Sequence, residues 1–249
     1  MATVTPTALV VGGASGIGAA CAAHLSADGW TVLIADRNTP TDVPHARAGL
    51  ADVRDGQALA DATAQLLDGE PLHGLVYAAG VARVSPLTEI TPEQWRFIID
   101  VNLNGAFHAV GAGLRHMQAG ASIVLISSID SLAPVSGLAH YCAAKAGLES
   151  LSRSVALEHG PLGVRCNVVA PGPVRTPLMN DVYRQPGMEQ AFTGRTPLGS
   201  LAEPSQVADA VAYLLSDRAS HLTGARIPVD GGMSLREHPS MLPTLERNQ

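Results

Sequence analysis

Tyr141 and Lys145 stand four residues apart in a stretch read as helix, so both side chains fall on one helix face, one turn from each other. A free phenol titrates near roughly pH 10 and exchanges protons poorly at neutral pH, and an adjacent ammonium favours the phenolate. The pair is therefore expected to lower the Tyr141 pKa toward the range of acid/base work. Ser128, at the end of the preceding apolar run, can hold a carbonyl or alkoxide oxygen beside the phenol by hydrogen bonding. A Tyr-x-x-x-Lys pair alone is commonly no more than an exposed amphipathic face. Composition changes that weighting: of the 16 basic residues, 15 are Arg and the one Lys is Lys145. A compact ammonium suits this chemistry better than a guanidinium fork.

A second constellation stands near the chain start, in Gly12-Gly13-Ala14-Ser15-Gly16-Ile17-Gly18. A pyrophosphate can approach backbone that carries no Cβ, and a helix beginning at Ser15, Gly16 and Ile17 offers free N–H groups and a partial positive charge. Glycines also serve turns without ligands, and this turn gains weight from its place between a strand and a helix. Asp36 closes the second strand, 18 residues after Gly18. Its carboxylate can accept from both hydroxyls of an adenosine ribose and would repel a 2′-phosphate, which favours NAD over NADP. Arg37 keeps the other coenzyme open, since an arginine can pair with that phosphate.

These residues need elements to hold them. The run 7–12 reads as a buried strand, Ile17, Cys21 and Leu25 as a helical stripe, and 30–35 as a second strand. Asp55 can cap a helix bearing Leu59, Ala62 and Leu66, and 75–79 is another strand. Leu103, Phe107, Val110, Leu114 and Met117 predict a helix, I-V-L-I at 123–126 a strand, and Ala144, Leu148, Leu151 and Val155 a further helix. Val164 to Val168 continue the sheet, Pro204 opens a helix with Val207, Val211 and Leu214 on one face, and 226–229 is the last strand. The alternation predicts an α/β fold, one doubly wound domain over 1–249 with a parallel sheet between helices, and a polar tail from 234 to 249.

Composition bounds the partners. The chain has 249 residues, 46% of them apolar, and a net charge of −6 without any Lys/Arg cluster, which argues against nucleic acid. No run approaches the length of a spanning helix, and no basic residue precedes Arg37, so neither a membrane nor a targeting segment is expected and a cytoplasmic location fits. Cys21, Cys142 and Cys166 are expected to be reduced core thiols, and the nine histidines show no metal-site spacing.

Together the motifs resemble the short-chain dehydrogenase/reductase family, from Gly12 to Gly232. Gly12-x-x-x-Gly16-x-Gly18 is similar to its cofactor turn, Asp52-Val53 to its adenine-contacting pair and Asn102 to its helix-kinking asparagine. Ser128, Tyr141 and Lys145 match its catalytic serine and Y-x-x-x-K. Pro171-Gly172-Pro173-Val174-Arg175-Thr176 resembles its nicotinamide loop. The resemblance implies a Rossmann sheet of about seven strands and hydride transfer between NAD(P) and a carbonyl or hydroxyl carbon. It implies that Tyr141 exchanges the proton, Ser128 polarises the substrate oxygen, and Lys145 binds the nicotinamide ribose while acidifying Tyr141. Asn102 is implied to hold a water linking Lys145 to solvent, and a homotetramer is implied as the assembly.

Two positions depart from the family pattern: Val11 replaces a Thr, and Tyr77-Ala78-Ala79-Gly80 stands where N-N-A-G is frequent. Each departure is expected to remove a hydrogen bond of about 1 kcal/mol inside the sheet. By family position the substrate pocket is walled by Ile129, Asp130, Pro134, Val135, His140, Pro173, Met179 and Tyr183, mostly apolar or small, which suits a secondary alcohol or ketone. Asp130 is the exception, readable either as a solvated loop carboxylate or as a group that orients a polar or cationic part of the substrate. The reading is an NAD-dependent secondary-alcohol dehydrogenase. Its alternatives are an NADPH-dependent ketoreductase of 3-oxoacyl or small ketones and a nucleotide-binding protein without chemistry.

Overall fold

The computed structural model describes residues 5–40, 43 and 46–235. Strand β1 (Thr7–Val11) leads into α1 (Gly16–Ala27), β2 (Thr31–Asp36), the edge strand β3 (Arg47–Leu50), α2 (Gly56–Leu67) and β4 (Leu72–Tyr77). The second half runs α3 (Pro92–Ile99), a π turn (Asp100–Asn104), α4 (Gly105–Leu114), β5 (Met117–Ile126), α5 (Ala139–His159) and β6 (Arg165–Pro171). Short helices α6 (Asn180–Tyr183) and α7 (Met188–Arg195) follow, then α8 (Pro204–Leu215) and β7 (Arg226–Val229).

Among the described residues seven strands form one parallel sheet, in the order β3-β2-β1-β4-β5-β6-β7. Burial on both faces explains the continuous apolar runs. Leu9 and Val11 point to one core, completed by Leu59 and Leu66 of α2, Val110 of α4 and Leu148 of α5. Ala8 and Val10 point to the other, completed by Cys21 and Leu25 of α1 and Val207, Val211 and Leu214 of α8. The chain winds outward from β1 to β3 and then restarts at β4 in the opposite direction. The crevice between the carboxyl ends of β1 and β4 is thus the topological switch point, where such sheets take ligands. In register, Val11 lies beside both Ala35 and Tyr77, which brings the loops after β1, β2 and β4 to one edge.

Asp55 caps α2 as expected, accepting from the N–H groups of Gln57 at 3.1 Å and Ala58 at 3.0 Å. The expected helix 103–117 is corrected at both ends. Residues 100–104 form the π turn, and Met117 pairs with Leu72 as the first residue of β5, because α4 stops at Leu114. Of the polar tail only Ser234 and Leu235 are described, and the rest lies outside the described residues.

Candidate active site

At the end of β1 the backbone turns through Gly12, in the left-handed region at φ 83°, and passes so close under β4 that a Cβ there would lie 2.6 Å from Ala79 Cα. Gly18 is pressed onto the Gly12 carbonyl in the same way. Ser15 caps α1 without a side-chain bond, and the first turn carries no acidic residue, so no side chain of the cap takes the N–H groups there. They are left to an anion. The methyl of Thr176 sits over Gly16, 3.5 Å from the place of a Cβ, so the loop after β6 closes the turn from above.

Asp36 is fixed at the end of β2 by accepting from the N–H of Ala14 at 3.0 Å and of Asn38 at 2.9 Å. A carboxylate has about four lone-pair sites, so two remain for ribose hydroxyls. Arg37 is exposed beside it. Asp52 is held by the fork of Arg54, Nε at 3.0 Å and Nη2 at 2.5 Å, and this hydrogen-bonded partner keeps its carboxyl below the usual range. Val53 is buried, its carbonyl 2.9 Å from His108 Nδ1. The donor set, the bare turn and the crevice fit a dinucleotide.

On α5, Tyr141 and Lys145 share a face, with Lys145 Nζ 5.5 Å from the centre of the Tyr141 ring. The ammonium donates to the Ile126 carbonyl at 2.8 Å, anchoring it to the end of β5. Ser128 opens the short 3-10 turn Ile129–Ser131, its Oγ accepting from the Asp130 N–H at 3.1 Å, and its hydroxyl is close enough to the Tyr141 phenol and the Asp130 carboxyl to lower the pKa of each. Asn102, fully buried in the π turn, donates to the carbonyls of Val81 at 2.8 Å and Ile98 at 2.9 Å. A Cβ on Gly80 would lie 3.2 Å from Asn102 Oδ1 and 3.7 Å from Lys145 Nζ, so Gly80 is the gap where these two groups meet.

Burial pushes the Tyr141 phenol above its ordinary value, the Asp130 carboxylate adds to this, and only the Ser128 hydrogen bond opposes it. The Lys145 ammonium lies over the Tyr141 ring and bonds to the Ile126 carbonyl, and burial pushes it down to about 8. Burial also raises Asp130, against the Ser128 hydrogen bond.

On the substrate side three expected wall residues, Ile129, His140 and Pro173, are interior. His140 has no exposed surface: its Nδ1 accepts from the Tyr141 N–H at 3.0 Å, and its Nε2 is without a hydrogen-bond partner. Burial lowers its pKa, opposed by a backbone hydrogen bond with Leu138. Pro173 is buried and its carbonyl accepts from Ala202 at 3.0 Å. Ile129 is buried, Pro134 and Val135 are exposed, and Met179 and Tyr183 are half-buried. The Tyr183 hydroxyl donates to the Val174 carbonyl at 3.2 Å and its ring meets Phe192 edge-on at 5.8 Å, joining α6 to α7. A cavity of about 510 Å³ opens here, lined by Arg175, Thr176, Tyr183, Arg184 and Glu189 among others, and none of Ser128, Tyr141 or Lys145 lines it. Its wall is charged rather than apolar, with Arg175 paired to Glu189 at 2.5 Å and Glu203 at 3.2 Å. The three thiols are free and buried, which pushes Cys21 and Cys166 up to about 12.

Tyr77 is a residue whose part the sequence reading missed. Its buried hydroxyl donates to the Val101 carbonyl, tying the end of β4 to the π turn that carries Asn102. The expected loss of a hydrogen bond in the Y-A-A-G segment is thus offset at this position. Gly105 makes the room, since a Cβ there would lie 2.8 Å from Val53 Cγ2.

The chain is similar to known proteins over most of its length. A family model described as enoyl-(acyl carrier protein) reductase matches residues 12–234. The chain is 38% identical over 238 residues to the cis-4-hydroxycyclohexanecarboxylate dehydrogenase of Sinomonas cyclohexanicum, covering 90% of this chain and 95% of that one. It is 32% identical over 247 residues to the 3beta-hydroxysteroid dehydrogenase 1 of Eggerthella lenta, covering 92% and 94%. Among solved structures, the ligand-free aldohexose dehydrogenase of Thermoplasma acidophilum superposes with a TM-score of 0.89 at 28% identity, over 96% of this chain and 98% of that one.

Proposed function

Since the chain belongs to the short-chain dehydrogenase/reductase family, an oxidoreductase acting on CH–OH groups with NAD(P), we propose that it interconverts a cyclic secondary alcohol and its ketone with NAD. The observation that carries this reading is the meeting of Ser128, Tyr141 and Lys145 at the sheet edge, beside the glycine turn. Bound NAD supplies a hydride acceptor and a positive ring whose charge favours the phenolate.

The N–H groups at the start of α1 hold the pyrophosphate, and Asp36 accepts from the adenosine ribose. Asp52 and Val53 flank the adenine, and Ala79 and Gly80 line the crevice. Lys145 binds the second ribose, and the loop from Pro171 and Gly172 through Val174 to Thr176 covers the nicotinamide. Tyr141 exchanges the proton with the substrate oxygen, Ser128 orients that oxygen, and Asn102 holds a water beside Lys145. The ring-alcohol class is supported by the relatives, whose names include a hydroxycyclohexane acid, a hydroxysteroid and an aldohexose. The same reading includes a cytoplasmic homotetramer, in which the exposed Phe107 of α4 and Leu157 of α5 are covered by other copies.

NAD preference rests on Asp36. Asp36→Ala is expected to raise the KM for NAD by about tenfold, a loss of roughly 1.4 kcal/mol, while turnover with NADP improves. Steady-state kinetics with both coenzymes read this directly. An unchanged preference would transfer the selectivity to Arg37 and favour the NADPH-dependent ketoreductase.

Asp130 gives the substrate side its polarity. In this reading its carboxylate accepts from a second hydroxyl on the substrate ring, so cis-1,2-cyclohexanediol is preferred over cyclohexanol. Asp130→Asn should erase that preference and, by removing a charge that raises the phenol, move the acid limb of kcat/KM for oxidation to lower pH. An intact diol preference would refute the assignment.

A further inference from the structure

Glu149 lies four residues beyond Lys145 and eight beyond Tyr141, on the same face of α5, and is 3% exposed. Its one oxygen Oε1 gathers three donors: the Ser127 hydroxyl at 2.9 Å, the Ser131 hydroxyl at 2.5 Å and Arg226 Nε at 2.9 Å. Those serines bracket Ser128, one preceding it and the other closing the turn it opens. The Ser128 carbonyl lies 3.4 Å from Arg226 Nη2 and 2.8 Å from the same Ser131 Oγ, whose single hydrogen is shared between this carbonyl and Glu149. Arg226 arrives from β7, two strands away from the end of β5. The backbone around Ser128 is therefore clamped to the helix that bears Tyr141 and Lys145.

A buried ion pair is weak evidence for stability, since leaving water costs each charge several kcal/mol and an apolar pair of similar volume is often as stable. An apolar pair cannot hold two serine hydroxyls. We propose that Glu149 and Arg226 are a positioning pair, which sets the height of the Ser128 hydroxyl against the Tyr141 phenol during hydride transfer. The inference rests on the function proposed above. Displacing a positioned group by about 1 Å typically costs on the order of 100-fold in rate, and releasing the turn gives Ser128 that freedom.

The test uses the full-length protein and three variants: Glu149→Gln, Arg226→Lys and the double variant Glu149→Leu/Arg226→Leu. Each is assayed for NADH affinity by nicotinamide fluorescence, for kcat and KM with NAD and a ring alcohol that the parent oxidises, for thermal midpoint, and for the pH profile of kcat/KM. Glu149→Gln is expected to keep NADH affinity within about twofold and to lose about 10- to 100-fold in kcat, with the acid limb of kcat/KM moved to higher pH as the Ser128 hydroxyl loses its place beside the phenol. Arg226→Lys, which keeps the charge, should lose less. The double variant should melt at or above the parent temperature and turn over as slowly as Glu149→Gln, which separates positioning from folding even if a single variant fails to fold. A folded double variant with parental kcat and pH profile overturns the proposal. So does a kcat loss that only tracks the fraction of protein able to bind NADH. A parent that binds NADH and oxidises no alcohol would instead defeat the reading of function, and this inference with it.

Discussion

Tyr141→Phe should lower kcat by about 1,000-fold while leaving NADH affinity within about twofold. The substitution removes one oxygen. The phenyl ring keeps its place on α5 and its face toward Lys145 Nζ, 5.5 Å from the ring centre, so the coenzyme crevice is undisturbed. What disappears is the proton that the substrate oxygen exchanges, together with the partner of the Ser128 hydroxyl. The loss should therefore fall on kcat and kcat/KM equally, the signature of an interaction made in the transition state. Absorbance of the reduced nicotinamide gives the rates, and its fluorescence gives the binding. A Phe variant as fast as the parent would remove Tyr141 from the chemistry.

Lys145→Met should act in opposite directions on rate and stability. Turnover should drop by about 100-fold, as the residue assigned to the nicotinamide ribose is lost. The folded protein should nonetheless become more stable at pH 7. Burial lowers the Lys145 ammonium from 10.5 to about 8, so between those values the unfolded chain binds more protons than the folded one. Stability of the parent accordingly rises with pH across that window, and below about 8 the full penalty of the buried charge is present, about 3 kcal/mol. Methionine removes the penalty and strands the Ile126 carbonyl, which Lys145 Nζ now satisfies at 2.8 Å, at about 1 kcal/mol. The net gain at pH 7 is about 2 kcal/mol and should shrink as pH rises toward 10.5. Urea unfolding of both proteins across this range gives the comparison. A Met variant less stable than the parent at pH 7 would show that the ammonium is held by more than the Ile126 carbonyl.

What was legible in the sequence is what local spacing determines. Four residues place Tyr141 and Lys145 on one helix face, and a glycine turn between an apolar strand and a helical stripe needs no distant partner to be recognised. The strand that ends at Asp36 and the cap at Asp55 are local in the same sense. The sign of the phenol shift was not legible, because it depends on enclosure and on a carboxylate brought against Tyr141 by the turn after β5. Helix α3 escaped notice because only Ile98 of its apolar residues is fully buried, while Trp95 and Phe97 remain exposed. Its capping box, Thr91 with Gln94, was the signal available. The π turn shifts the helical phase by a fraction of a turn at Asn102, so the stripe from Leu103 to Met117 read as one helix running into what is the first residue of β5. Edge strand β3 shows no alternation of buried and exposed residues to read. Tyr77 with Val101 and Glu149 with Arg226 lie 24 and 77 residues apart, and only the fold brings them together.

The central claim is that hydride passes directly between a ring carbinol carbon and the nicotinamide while Tyr141 handles the proton. Its most direct test supplies NAD with a cyclic secondary alcohol that the enzyme oxidises, deuterated at the carbinol carbon, and weighs the reduced coenzyme by mass spectrometry. The account predicts that the coenzyme carries the deuterium quantitatively. Reduced coenzyme without the label, with the deuterium released to water, would contradict it.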